Sequence, residues 1–291
     1  MEYNSLIYIG ELSHKPSLAV AQRYASVYGL RLRTIPRNEF LYNCDGLLRD
    51  AAFAVIWNGE QGNTGACADY CRAKRVPHCF LELGLLPQHK TYLIDRRGFC
   101  GRSSLCGDLG WVTPTDMAQM RREREALLRR HRRAPDGSVL VPLQVPNDTQ
   151  VFYHWSGRTM QDLVQQVESM YPGREIVFRP HPKITDNSRL ILGPRSSLRA
   201  EGLFLDQAAR ASVVVGVTST CLYEASLLGV PTVALGDHPL RAHRDHERVL
   251  AGLLAHRFDS NGSPWNIMER FSVRPLGALP LSEGGNVAEA G

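Results

Sequence analysis

The chain has 291 residues, of which 43% are hydrophobic and 22% are charged, and its formal net charge is +5. This balance is typical of globular proteins and excludes a disordered or fibrous chain. A single hydrophobic core rarely grows much beyond about 250 residues, so we expect two domains.

The positive charge is confined to one short segment. Residues 121–133 contain seven arginines and two glutamates, which account for the whole net charge. A protein that coats nucleic acid would spread basic residues over a face and interleave them with aromatic residues, so we expect no nucleic-acid partner. The segment has two interpretations. A solvated helix between the domains is slightly favoured, and a helix that contacts anionic lipid or glycan gains about 1 kcal/mol per basic residue.

The cysteines and the N-terminus indicate a reduced, cytoplasmic protein. Seven cysteines are scattered without a CxxC pair, which favours free structural thiols over disulfides. Cys67, Cys71 and Cys79 could be imagined with His78 as a zinc site, but small buried thiols are the simpler interpretation. The N-terminus lacks the features of a signal peptide, and no segment approaches the ~18 apolar residues that span a bilayer.

The first half alternates between strands and helices. Strands are predicted at Ser5–Ile9, Leu30–Ile35, Ala51–Trp57 and Pro77–Leu81, with helices at 16–28 and Thr64–Lys74. Such alternation predicts a parallel sheet built from βαβ units.

The second half repeats the pattern after a charged helix that ends at Arg133. We predict a strand at Ser138–Leu143, a helix at Gly157–Tyr171, a strand at Glu175–Phe178 and a further α/β round at Leu203–Leu235. The predicted domains are therefore 1–135 and 136–271. Residues 272–291 are rich in Gly, Pro, Ser and Glu, which predicts a surface tail.

The most informative segment is Ser212–Gly236, where an apolar strand runs into three hydroxyl residues, Thr218, Ser219 and Thr220, and then a helix. A helix N-terminus beyond the carboxyl end of a strand is a common phosphate site. Glu224, one turn further on, is placed to accept hydrogen bonds from a ribose. The alternative is that Thr218 or Ser219 only caps the helix and Glu224 completes the cap.

Two further groups follow strands of the second half. His181 lies between two prolines after the strand that ends at Phe178, where it could donate a hydrogen bond to a departing phosphate. Gln144 and Asp148 follow the strand Ser138–Leu143, and Asp148 could attack an anomeric carbon. The alternatives are a structural histidine and an aspartate that caps the next helix.

Glu82 and Gly84 end a strand of the first half and are followed by Asp95, Gly98, Ser103 and Ser104. Glu82 would lie across the cleft from Asp148. Two carboxylates on opposite walls suit group transfer to a sugar hydroxyl, one for covalent catalysis and one for proton removal.

Together these residues resemble the bacterial retaining Kdo (3-deoxy-manno-octulosonic acid) transferases and the related capsule polysaccharide synthesis proteins. The resemblance rests on four motifs between about residues 50 and 240. They are E-x-G with the downstream D-x-x-G (Glu82, Gly84, Asp95, Gly98), Q-x-x-x-D (Gln144, Asp148), the His181–Pro182 pair, and T-S-T-x3-E (Thr218 to Glu224) before G-x-P.

The resemblance implies an α/β GT-B fold, with two Rossmann-like domains whose parallel sheets face a central cleft. It implies that Asp148 forms the covalent sugar adduct, that Glu82 assists the acceptor, and that His181, Ser219 and Thr220 hold the CMP phosphate. Gln144 would orient the sugar, and Thr218, Glu224, Gly84 and Ser104 complete the predicted substrate-binding set. No metal and no cofactor are expected.

The implied reaction moves Kdo or a related acidic sugar from a CMP donor to a saccharide or lipid-linked glycan in capsule or lipopolysaccharide synthesis. Peripheral contact with the inner membrane or with other polysaccharide-assembly proteins would accompany it. Two alternatives remain open. The chain could use a UDP- or GDP-sugar as a transferase or epimerase, or it could be a scaffold that binds a nucleotide without catalysis.

Overall fold

The computed structural model describes residues 4–10, 15–59, 63–88, 90–146, 148–184, 186, 189–259 and 275–276. Two sheets organise these residues. The first contains β1 (Ser5–Gly10), β2 (Arg31–Pro36), β3 (Ala51–Trp57), β4 (His78–Leu83), β5 (Thr91–Asp95) and β11 (Arg257–Asp259). The second contains β6 (Val139–Pro142), β7 (Ile176–Arg179), β8 (Ser196–Leu198), β9 (Val213–Gly216) and β10 (Thr232–Ala234).

The helices connect and cover the strands. Those before β6 are α1 (Lys15–Val27), α2 (Arg37–Tyr42), α3 (Cys44–Leu48), α4 (Asn63–Ala73) and α5 (Pro114–Arg130). Those after it are α6 (Thr149–His154), α7 (Met160–Met170), α8 (Phe204–Arg210), α9 (Cys221–Leu227), α10 (Pro239–Ala242) and α11 (His246–Ala255). Thr113 and Asp116 form a capping box that fixes the start of α5, where Pro114 occupies the first turn.

The first sheet has the order β11–β5–β4–β3–β1–β2. Strands β1 to β4 are parallel, as predicted, and every residue of β1 and β3 is buried, which is typical of strands covered on both faces. Strands β5 and β11 are antiparallel to their neighbours, contrary to the expectation of a wholly parallel sheet. The connection between β4 and β5 is too short to hold the crossover helix that a parallel pair requires.

The second sheet is parallel throughout, with the order β10–β9–β6–β7–β8. The chain leaves β6 toward β7 and β8 on one side and later adds β9 and β10 on the other side. The order therefore reverses between β6 and β9, and the crevice at such a reversal is where open α/β sheets bind ligands.

The chain returns to the first sheet near its end. Helix α11 packs against α5 and α9, and β11 pairs with β5. One hydrophobic cluster combines Leu105 and Val112 of the first half with Leu222 of the second and Leu250 of α11. Residues 246–259 thus contribute to the first sheet and to the shared core, although they fall within the range predicted for the second domain.

The predicted tail from residue 272 lies outside the described residues except at 275 and 276. There Pro275 is buried, and the backbone N–H of Leu276 donates to the carbonyl of Ala52 on β3 at 2.8 Å. This short part of the tail therefore contacts the first sheet.

Gly84 has a structural reason to be a glycine. Its N–H donates to the Thr91 carbonyl across the β4–β5 connection at 2.8 Å. A Cβ at this position would lie 2.8 Å from the backbone carbonyl carbon of Thr91 and 2.9 Å from the backbone nitrogen of Tyr92. Backbone atoms cannot move aside as a side-chain end can, so the two strands leave no room for a methyl group.

We predict that Gly84→Ala lowers the free energy of unfolding by about 2 kcal/mol, because the added methyl overpacks the β4–β5 pair. Urea denaturation measures the change. Gly107→Ala is the matched control, since a Cβ there meets its nearest atoms at 3.4 Å. Equal stability of the two variants would contradict this account of Gly84.

Candidate functional site

A cavity of about 450 Å³ lies where the carboxyl ends of strands from both sheets meet. Glu82 and Asp95 come from β4 and β5 of the first sheet. Gln144, His181 and Thr218 follow β6, β7 and β9 of the second. Seven of the predicted site residues line this cavity: Glu82, Gln144, Asp148, His181, Thr218, Ser219 and Thr220. Three do not: Gly84, Ser104 and Glu224.

Gln144 and Thr218 join the ends of β6 and β9 at the point where the strand order reverses. The Gln144 Nε2 donates to Thr218 Oγ1 at 3.1 Å, and the Thr218 backbone N–H donates to Gln144 Oε1 at 3.1 Å. Both side chains are buried, and buried polar groups are stable when they satisfy one another. The same Nε2 also donates to Asp148 Oδ2 at 2.9 Å. The amide therefore holds one oxygen of Asp148 toward the cavity.

Asp148 also caps α6, because its Oδ1 accepts a hydrogen bond from the Gln150 N–H at 2.9 Å. Asp148 therefore does both things that the sequence suggested: it caps a helix and it lines the cavity. Partners on both oxygens fix the orientation of the carboxylate. A fixed carboxylate at a cavity wall can serve as a nucleophile, a base or an electrostatic partner.

His181 is half-buried and has a defined tautomer. Its Nδ1 accepts a hydrogen bond from the Lys183 backbone N–H at 3.1 Å, so the proton of the neutral ring is on Nε2. Burial, with a smaller effect of the Lys183 charge, lowers the pKa of His181 below its usual value. The ring is therefore a neutral donor at neutral pH, suited to an anionic oxygen.

The hydroxyl residues differ in their roles. The Ser219 Oγ accepts from the Cys221 N–H at 3.2 Å at the start of α9, whereas the Thr220 hydroxyl makes no capping bond there. Because α9 has only seven residues, its dipole is a minor contribution. The hydroxyl groups of Ser219 and Thr220 are donors that this wall offers to a ligand in addition to the Nε2–H of His181.

The opposite wall is formed by Glu82 and its neighbours. With its amide turned so that the nitrogen faces Glu82, Asn58 donates to a Glu82 carboxylate oxygen at 2.9 Å. The Leu83 N–H donates to the other oxygen at 3.0 Å. Asn58 has φ of 74°, which is unusual for a residue with a side chain. Glu82 and Asp148 both raise the pKa of the Cys100 thiol, after the larger effect of burial. The two carboxylates therefore lie within electrostatic reach of the same thiol.

Asp95 holds the loop that closes the cavity floor. Its buried carboxylate accepts from the Ser103 hydroxyl at 2.7 Å, the Ser104 N–H at 2.8 Å, the Ser104 hydroxyl at 2.9 Å and the Arg97 N–H at 2.8 Å. The hydroxyl of Ser104 is thus directed to Asp95, and Ser104 supports that carboxylate without lining the cavity. Asp95 instead fixes the positions of Phe99, Cys100 and Ser103, which do.

Glu224 lines a second cavity, of about 500 Å³, with Leu86, Phe204 and Leu205 among its neighbours. Gln88 lines both cavities, so the second one adjoins the first. Among the described residues, the Glu224 side chain makes no capping bond at the start of α9. Burial raises the pKa of Glu224 to about 7, an effect that the nearby Leu86 backbone only partly offsets.

Several residues that line the first cavity were not predicted from the sequence: Asn58, Phe99, Cys100, Gln150, Lys183 and His256. Lys183 could have been found, since it lies two residues after His181 in a segment that the prolines keep out of a helix. His256 could not have been found from the sequence. It directly precedes β11, and the pairing of β11 with the distant strand β5 brings it to the site. Lys183 is the only lysine or arginine among the described residues that line this cavity.

Within the described residues, no group of three or more His, Cys, Asp or Glu side chains is placed to hold a metal ion. Cys67, Cys71 and Cys79, considered above as zinc ligands, are buried and belong to no such group. No helix in the part of the chain that the structure covers is long and apolar enough to cross a membrane.

The fold is similar to two solved structures of Thermosulfurimonas dismutans KpsC. The beta Kdo 2,7 transferase superposes with a TM-score of 0.64 at 19% identity, over 92% of this chain and 98% of that one. The beta Kdo 2,4 transferase gives 0.62 at 17% identity, over 87% and 91%. This similarity confirms the predicted α/β, GT-B-like fold, with two sheets that face a cleft.

Similarity of sequence is limited. Protein FixF of Sinorhizobium fredii (strain NBRC 101917 / NGR234) is 32% identical over 110 residues, which are 35% of this chain and 27% of FixF. The matched segment, about a third of this chain, therefore spans only about a quarter of that relative's length. No family model matches the sequence.

The raised pKa of Glu224 predicts a pH-dependent stability. The folded protein binds this proton up to about pH 7, whereas the unfolded chain releases it near the usual glutamate pKa of 4.5. The stability that this proton contributes is complete below the pKa of Glu224 in the unfolded chain. It is lost as the pH rises through the pKa of Glu224 in the folded protein.

We predict that Glu224→Gln, which does not titrate, is more stable than the unsubstituted protein by about 2–3 kcal/mol at alkaline pH and nearly equal to it in acid. Urea denaturation across this range measures the difference. Glu201→Gln, at an exposed position, is the control with the same loss of charge. A difference for Glu224→Gln that does not vary with pH would show that its carboxyl is not desolvated.

Proposed function

We propose that this chain is a glycosyltransferase that moves Kdo or a related acidic sugar from a CMP donor to a saccharide acceptor in surface polysaccharide synthesis. The observation that carries the proposal is the convergence of Glu82, Asp148, His181 and Ser219 on one cavity between the two sheets. The similarity of the fold to two solved Kdo transferases supports this class of donor.

The donor phosphate fits the wall of the second sheet. The Nε2–H of His181, the ammonium of Lys183 and the hydroxyls of Ser219 and Thr220 are hydrogen-bond donors that line this side of the cavity. A donor with both a phosphodiester and a sugar carboxylate carries two negative charges. Lys183 supplies the positive charge that such a ligand needs in a cavity that also contains Glu82, Asp95 and Asp148.

The nucleoside fits the second cavity. Leu86, Phe204 and Leu205 provide apolar contacts for a base, and Glu224 provides an acceptor for ribose hydroxyls. Gln88, at the border of the two cavities, lies where the ribose and the phosphate would join. This assignment retains the predicted role of Glu224 and places it outside the cavity that holds the phosphate.

The proposed chemistry has two displacements. The Asp148 carboxylate attacks the anomeric carbon, the bond to the phosphate oxygen breaks, and CMP leaves with the bonding electrons. His181 and Lys183 stabilise the charge on the leaving phosphate. An acceptor hydroxyl then attacks the same carbon, Glu82 takes its proton, and Asp148 leaves as a carboxylate. Two inversions give net retention of configuration.

Gln144 is a positioning residue in this mechanism. Its amide nitrogen holds Asp148 Oδ2, while its amide oxygen is held by the N–H of Thr218. Rotation of the Asp148 side chain would break this bond and the cap of α6 together. The carboxylate is thus fixed before the donor arrives, which reduces the entropy that must be lost at reaction.

Release of CMP from CMP-Kdo, measured with a panel of saccharide acceptors, tests the proposed function directly. Thermal-shift assays with CMP, UDP and GDP test the nucleotide independently. Stabilisation by UDP or GDP and not by CMP would reject the proposed donor, and binding of CMP without transfer to any acceptor would support the scaffold alternative.

We predict that Asp148→Asn lowers turnover by at least about a thousandfold and leaves CMP affinity within a few-fold, because the nucleophile is lost while the cap of α6 is retained. Steady-state assays and calorimetric titration with CMP measure the two effects.

Asp245→Asn is the control, because Asp245 also caps a helix, α11, at an exposed position, where its side chain accepts from the Arg248 N–H. Mass spectrometry of the unsubstituted enzyme, quenched with donor, should show the mass of one sugar on the peptide that contains Asp148. Full turnover by Asp148→Asn would eliminate the covalent mechanism.

We predict that Lys183→Met raises the KM for the donor about tenfold or more, because an ion pair in the cavity is lost. Lys74→Met removes a lysine that pairs with Asp45 on the surface and should leave KM unchanged. The affinity for CMP alone distinguishes the two possible partners: it falls if Lys183 binds the phosphate and is retained if Lys183 binds the sugar carboxylate. An unchanged KM would show that Lys183 binds neither.

A further inference from the structure

Six of the seven arginines of residues 121–133 fall into two groups in the structure, and the seventh, Arg130, is exposed and lines the second cavity. Arg124 donates to the Leu227 carbonyl at 3.2 Å and forms an ion pair with Glu247. Arg133 donates to the carbonyls of Ala208, Ala209 and Ala211 at 3.1, 2.9 and 2.8 Å. These two arginines fix α5 and its C-terminal extension to the second half of the chain.

The second group is exposed. Arg121, Arg122, Arg129 and Arg132 are all solvent-accessible. Within the described residues, none of the four forms a hydrogen bond or an ion pair. Their charges are therefore available to a partner.

The exposed arginines share one side of the helix. At 3.6 residues per turn, Arg121, Arg122 and Arg129 lie within an arc of about 120°, and Leu128 lies at its edge. Arg132 follows directly after the helix. The opposite side carries Met120 and Leu127, which are buried against the core. We call Arg121, Arg122, Leu128, Arg129 and Arg132 the basic face of α5.

The shape of the basic face favours a planar partner. The arginines extend over roughly 16 Å along the convex surface of a helix, and they line neither of the two cavities of the cleft. A single glycan chain is usually held in a concave groove, whereas a flat anionic surface can contact all four guanidinium groups at once. Leu128, whose side chain is 38% exposed, adds an apolar group that can enter the headgroup region.

We propose that the basic face of α5 docks the protein on an anionic lipid bilayer. The opposite side of α5 is rigidly held, since Glu123 pairs with Arg257 of β11 and Arg124 pairs with Glu247. Docking would therefore orient the whole cleft, because α5 also borders its second cavity through Ala126, Leu127 and Arg130. The attraction depends on charge and weakens with salt.

Sedimentation with vesicles tests the proposal on the full chain. The protein should bind vesicles of phosphatidylcholine with phosphatidylglycerol at low salt, release them at high salt, and not bind phosphatidylcholine alone. Each arginine near an anionic surface strengthens binding about fivefold, so Arg121→Gln, Arg122→Gln, Arg129→Gln and Arg132→Gln together should weaken it by several hundredfold.

The matched control replaces four exposed arginines elsewhere on the chain: Arg49, Arg75, Arg189 and Arg244. This variant has the same net charge as the basic-face variant, and it should bind vesicles far more tightly. Glu125 is exposed and lies within the arc of the basic face, so Glu125→Gln removes a negative charge there. It should strengthen binding about fivefold.

Equal losses in the two four-arginine variants would overturn the proposal, because net charge and not the basic face would then control binding. Equal binding to neutral and anionic vesicles would also overturn it, as would binding to a soluble anionic oligosaccharide without binding to vesicles. Unchanged melting temperatures of the variants confirm that any loss is not due to unfolding.

Discussion

The amide of Gln144 is the interaction on which the candidate site depends. It bridges the ends of β6 and β9, where the strand order of the second sheet reverses, through paired hydrogen bonds with Thr218. The same amide nitrogen holds Asp148. An open parallel sheet leaves a crevice at such a reversal, and here one buried side chain determines which groups face it. The predicted nucleophile and Thr218 are positioned by this bridge.

The other wall of the cleft comes from the first half of the chain, where hydrogen bonds to the Asp95 carboxylate hold a loop in place. Asp95 accepts four hydrogen bonds from the loop after β5, and that loop carries Phe99, Cys100 and Ser103 to the cavity. Helix α11 and strand β11 then join the second half to the first through a shared hydrophobic cluster. The cleft therefore lies above a continuous core, and its two walls are built from residues that hydrogen bonds and packing hold in place.

Local sequence patterns predicted most of the strands and the helices that directly follow them in the chain. The βαβ alternation predicted the parallel strands β1 to β4 and four of the five strands of the second sheet, since each of these strands and its covering helix are close in sequence. The three-residue strand β8 was missed. Strand β11 was missed because its partner β5 is more than 160 residues away in the chain. Pairing at such a distance has no local signal. Helices α2, α3 and α6 were also missed, because segments of five or six residues carry too little periodicity to be recognised.

The candidate site shows the same division. Glu82, Gln144, Asp148 and His181 were predicted because each follows a strand, and the carboxyl ends of parallel strands meet. Gly84 and Ser104 belong to the same motifs, but their neighbours use them for packing and for the support of Asp95. Spacing alone cannot distinguish a residue that contacts a ligand from one that holds such a residue. Helical spacing predicted that Glu224 lies near the phosphate site, but in the structure Glu224 lines the second cavity and not the first.

A crystal structure of the protein in complex with CMP would show whether these residues form one nucleotide-binding cleft. We expect density for the phosphate beside His181, Ser219 and Thr220, and density for the ribose within hydrogen-bond distance of Glu224. CMP bound elsewhere on the protein, or bound with its phosphate away from His181, would contradict this expectation.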